Sequence, residues 1–66
     1  MLMVHGVFQI VQSGEWKQTI EILNDGHVIG FIERERTRTG KLTKTRNLQG
    51  EIMEGECLEW LVRQTA

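Results

Sequence analysis

The chain has 66 residues, a net charge of −1, no proline and one cysteine, Cys57. A chain of that size makes one small domain (residues 1–66) that buries only about 60% of its unfolded surface; a lone thiol permits no intrachain disulfide and argues against a cysteine-based zinc site. No apolar run approaches the roughly 20 residues that span a bilayer, and a single thiol without a signal-like start fits a cytoplasmic protein with no membrane role.

The runs between turns are rich in β-branched and aromatic residues, which predicts a hairpin meander. In chain order, Ser13-Gly14-Glu15 is expected as a three-residue loop, pairing Phe8 with Ile20 and Gly6 with Ile22. Asp25-Gly26 is a strong type I′ turn signal and pairs Ile22 with Ile29 and Ile20 with Phe31. Thr39-Gly40 as a two-residue loop then pairs Phe31 with Leu48, Glu33 with Arg46 and Glu35 with Lys44. Paired side chains share a face. The three turns together place Phe8, Ile20, Ile22, Ile29, Phe31 and Leu48 on one apolar face. Val7, Val11, Leu23, Val28 and Ile32 fall on the other.

The last segment, residues 56–64, reads as a short helix with Cys57, Leu58, Leu61 and Val62 on one side and Glu59–Arg63 as an i,i+4 pair. As a strand it would instead close a small barrel of SH3-like type. The expected fold is thus mostly β: a four-stranded antiparallel meander covered by a C-terminal helix or completed by a fifth strand.

Charge is unevenly spread. Residues 34–46 hold six cations and one carboxylate, a net +5, whereas residues 1–33 and 47–66 each carry −3. Such asymmetry is a statement about partners rather than fold. The basic β-ribbon at 33–46 is expected to turn Arg34, Arg36, Arg38 and Lys41 to the face opposite the core. Lys17 would lie beside Arg34. Lys44 and Arg46 would be partly neutralised by Glu35 and Glu33. A two-stranded ribbon fits the major groove, its cations meet phosphates, and Thr37, Thr39, Thr43 and Thr45 offer further hydrogen bonds. The ribbon has no interleaved aromatics, so duplex backbone contact is expected over base stacking.

The expected function is non-catalytic nucleic-acid binding through Arg34, Arg36, Arg38, Lys41, Lys44 and Arg46. The alternative is a protein-interaction or homo-oligomerisation module whose ribbon docks an acidic surface, and self-association would also support so small a domain. Trp16, next to the first turn and opposite Glu35 in this register, reads as a core cap; exposed, it would suit cation–π packing with Arg34 or Arg36. His5 and His27 fall on different strands and opposite faces, Cys57 sits among leucines, and neither histidine is at a metal-ligand spacing. No enzyme activity, metal or cofactor is expected. Gly40-Lys41 fails as a phosphate loop, because Glu35 stands where the first glycine belongs and Leu42 where Ser or Thr is required.

Overall fold

The computed structural model describes residues 1–65, so Ala66, the last residue of the expected domain, lies outside it. Five antiparallel strands form one open sheet in the order β1-β2-β3-β4-β5. They are β1 Leu2–Gln12, β2 Glu15–Asn24, β3 His27–Thr37, β4 Gly40–Asn47 and β5 Ile52–Glu54, followed by helix α1 Leu58–Thr65. The meander and the C-terminal helix agree with the sequence. The last segment is the helix and not the alternative fifth strand; a short fifth strand, not expected from the sequence, comes instead from Ile52–Glu54, and the sheet stays open rather than closing into a barrel.

Each turn shows why its residues are there. Asp25 and Gly26 have φ of 52° and 83°, the paired positive angles of the expected type I′ turn. The first loop is shorter than expected. Gln12 pairs with Glu15 around Ser13-Gly14, with Val11 as an extra residue, so Phe8 meets Gln18 and Gly6 meets Ile20. The third turn is Arg38-Thr39, not Thr39-Gly40, since Thr37 pairs with Gly40. The Thr37 hydroxyl accepts the Thr39 N–H at 3.3 Å, a side-chain turn closure, and Gly40 supplies a φ of 140° directly after it.

These two corrections move pairs by even steps and leave the faces unchanged. A third does not. Ile22 pairs with Gly30 while Leu23 pairs with Val28, leaving Ile29 as an extra residue in β3. A one-residue bulge turns every later side chain to the other face. Ile32, expected outside, is buried in the core with Ile22, Ile29 and Leu61. Phe31, expected inside, lies on the reverse face, where the Arg46 guanidinium sits 5.0 Å from its ring centroid. Leu48 follows β4 and is exposed.

Helix α1 packs on this inner face over the centre of the sheet, against β3 and Ile22 of β2, with Leu58 and Val62 toward Leu2 of β1. Leu61 is fully buried, with Trp60 and Val62 packed beside it, whereas Leu58 stays 38% exposed. Leu61 and Val62 face inward as expected, and Trp60 joins them in place of Leu58. Burial of Leu61 and Ile22 contributes about 2 kcal/mol each. Leu61 fits because Gly30 has no side chain: a Cβ there would lie 2.5 Å from Leu61 Cδ2 and 2.7 Å from the Arg46 carbonyl oxygen.

Two buried polar residues tie the helix to the β4–β5 corner. The Thr45 hydroxyl donates to the Gly55 carbonyl at 2.7 Å and accepts the Cys57 N–H at 2.9 Å. The Asn47 amide donates to Glu51 at 2.9 Å and Gln64 at 2.6 Å, and its oxygen accepts the Gln49 and Glu51 N–H groups. Thr45 is thus not available to a phosphate, contrary to the sequence reading.

We predict that Gly30→Ala destabilises the fold by about 1–3 kcal/mol, the cost of overpacking against a neighbour that includes backbone. Gly6→Ala is the control, because its nearest neighbour is a side-chain atom at 3.6 Å. Urea denaturation followed by tryptophan fluorescence compares them; equal midpoints would contradict the packing account.

Candidate nucleic-acid interface

The bulge decides where the cations stand. Arg34 and Arg36 lie opposite Gln18 and Trp16 on one side, and opposite Thr43 and Lys41 on the other. They therefore extend the inner, helix-bearing face beyond the end of the helix, not the face opposite the core. The expected neighbours change accordingly: Trp16 faces Arg36 rather than Glu35, and Lys17 faces Glu35 rather than Arg34. Arg38 sits in the turn itself.

The six cations are not equivalent. Arg34 is half-exposed and forms an ion pair with Glu56, in the segment that leads into α1. Arg46 pairs with Glu33 at 3.4 Å on the reverse face, the partner the sequence suggested, reached diagonally from its position opposite Phe31. Lys44 is on that reverse face too, between Glu33 on β3 and Glu54 on β5, whereas Glu35 lies opposite Leu42. Arg36, Arg38 and Lys41 are exposed and, among the described residues, take part in no ion pair. Arg36 and Lys41 face each other directly, a like-charge pair that raises the local positive potential.

The aromatics missing from the ribbon arrive from neighbouring strands. Phe8 on β1 and Trp16 on β2 share the inner face with Arg36, and their ring centroids are 5.4 Å apart at 33°. Phe8 is 55% exposed, since α1 approaches β1 only at its far end, near Leu2. Trp16 is half-buried against Phe8 instead of capping the core. An open groove of about 560 Å³ runs between the first and third turns, bounded by Ser13 and Gly14 on one bank and Arg36 and Arg38 on the other. The arrangement offers two adjoining rings, a groove and, among the described residues, three cations outside any ion pair, all at one end of the sheet. Strand pairing across three hairpins produced it, so residue spacing within the ribbon carried no sign of it.

The remaining candidates lie elsewhere. Cys57 is half-buried at the start of α1, its thiol donating to the Glu54 carbonyl at 3.2 Å. His5 is on the reverse face with Glu21, at 3.4 Å. His27 pairs with Asn24 beside the type I′ turn. There the chain's amino group lies 2.6 Å from Asp25 and, with the His27 charge adding slightly, holds that carboxyl below its usual range. Among the described residues no cluster of His, Cys, Asp or Glu is placed to hold a metal ion, and no helix is long and apolar enough to cross a membrane. Comparison with protein families, curated proteins and solved structures found no match to this chain.

The Arg34–Glu56 pair is partly solvated on both sides. A double-mutant cycle with Arg34→Ala and Glu56→Ala is predicted to give a coupling below about 1 kcal/mol in chemical denaturation. A larger coupling would make the pair structural and remove Arg34 from any binding role.

Proposed function

We propose that the protein binds single-stranded nucleic acid on the inner face at its basic end, without catalysis, in the cytoplasm. The observation that carries this reading is the Phe8–Trp16 ring pair beside Arg36 and Lys41 on a surface the helix leaves open. Stacking on aromatic rings tolerates any base and contributes about 1–3 kcal/mol per base, while nearby cations follow the backbone. The pairing of stacking rings with cations favours unpaired strands over the duplex contact that the ribbon alone suggested. Arg36, Arg38 and Lys41 are the primary phosphate contacts. Arg34 is held by Glu56, and Lys44 and Arg46 face away, so these three are secondary. Docking of the same basic end on an acidic protein surface is the competing reading, and it gives the rings no role.

Fluorescence anisotropy of labelled single-stranded and duplex oligonucleotides across a salt series tests the proposal. Three phosphate contacts on a single strand predict a log–log salt slope near −2, from about −0.7 per contact. Phe8→Ala or Trp16→Ala is expected to weaken binding roughly 5- to 100-fold with the slope kept. The triple reversal of Arg36, Arg38 and Lys41 to Glu is expected to abolish it. No binding at low salt, or tighter binding to duplex that is insensitive to Phe8 and Trp16, overturns the reading.

A further inference from the structure

We propose that the outer edge of β1 is a subunit interface, pairing antiparallel with β1 of a second copy about a two-fold axis normal to the sheet. The two five-stranded sheets then become one continuous sheet of ten strands. This surface is separate from the basic ribbon and does not depend on its ligand.

The first observation is the contrast between the two sheet edges. β5 is three residues long and ends in Glu54, a blunted edge. β1 is eleven residues long and exposed throughout, with no Asp, Glu, Lys, Arg or Pro. Its side chains are apolar on both faces, with Val4, Ile10 and Val11 between 67% and 75% exposed. Proteins that keep an edge strand free protect it with charge, proline, bulges or a covering element. β1 has only the irregularity at Val11, near its end. Meanwhile β1 places no residue in the core, which consists of Ile22, Ile29, Ile32 and Leu61.

The second observation identifies the occupant. An uncharged, mostly apolar strand is what such an edge accepts, and β1 itself, apolar apart from His5, Gln9 and Gln12, meets that description. With the axis at Val7, Val7 meets its own copy, Gly6 meets Phe8, Val4 meets Ile10, Met3 meets Val11 and His5 meets Gln9. Large side chains face small or apolar ones, each pair shares a face, and no like charges meet. An eleven-residue strand runs about 37 Å. Pairing along it satisfies the outward main-chain groups of the whole strand and covers the flanks of its side chains.

Charge placement agrees. The Gln12 end of β1 lies by the basic turns and the Leu2 end by Asp25. Antiparallel pairing sends the two basic ends to opposite ends of the dimer, each toward the partner's Asp25 turn. Like potentials are thereby kept apart. Both helices stand on the same side of the joined sheet.

Sedimentation velocity of the full chain over a concentration series tests this. A species of twice the 7.7 kDa chain mass, stable to added salt, is expected. Val7→Lys and Val7→Glu should each weaken the dimer roughly a hundredfold, because like charges then face each other across the axis. An equimolar mixture of the two variants should restore it. In a mixed sample of labelled and unlabelled wild-type chains, intermolecular NOEs between β1 backbone protons are expected, a readout that needs no variant to fold. A monomer at every concentration overturns the proposal. So does a dimer that salt dissociates and both Val7 variants retain, or a dimer without those NOEs.

Discussion

The seating of Leu61 over Gly30 is the constraint from which the inner face is built. The contact needs a residue without a side chain directly beneath the helix, and that residue must point inward. Gly30 points inward only because Ile29, itself buried, is an extra residue between the Ile22–Gly30 and Leu23–Val28 pairs. The same extra residue turns Ile32 into the core beside Ile22. One bulge therefore supplies the flat seat, completes its apolar wall and sets the face of every later residue in β3 and, through pairing, β4. Thr45 and Asn47 then fall inward, where their hydrogen bonds hold the corner that delivers the helix.

That parity has a functional side. Without the bulge, Arg34, Arg36 and Lys41 would point away from Phe8 and Trp16. With it, cations from β3 and β4 and rings from β1 and β2 stand together. The helix stops short of them, and Glu56 reaches back to restrain Arg34. The sheet thus divides its inner face into a capped apolar half and an open aromatic–basic end. It leaves a long uncharged strand at one edge. Binding on the open face and pairing along the edge meet at Phe8, whose ring serves the first and whose main chain serves the second.

Much of this was legible in the residues. Asp25-Gly26 announced its turn type, the alternation of the runs announced a meander, and Glu59–Arg63 announced a helix. The division of the ribbon's cations into two sets, with Arg34, Arg36 and Lys41 on one and Lys44 and Arg46 on the other, also follows from period-2 alternation. It is correct because the true third turn differs from the expected one by a shift that preserves faces. What alternation cannot reveal is an extra residue. Ile29 looks like an ordinary strand position, and only Gly30 beside it hints at a bulge or close approach. Hence Phe31 and Ile32 were exchanged, and the ribbon was assigned to the wrong side of the sheet. Asn47 and Thr45 read as surface residues because their partners come from Glu51, Gly55, Cys57 and Gln64, brought near only by the fold. Phe8 and Trp16 were visible individually; their meeting with Arg36 depended on the bulge.

The shortness of α1 has a dynamic consequence. Eight residues are too few to persist as an isolated helix in water, where about 12–15 are marginal. Coiling and docking of this segment are therefore one event: released from Gly30, the segment melts. Such a release would leave Ile22, Ile29 and Ile32 open to water. Amides of α1 are therefore expected to exchange with solvent by local opening, ahead of those in the central β2–β3 pairing.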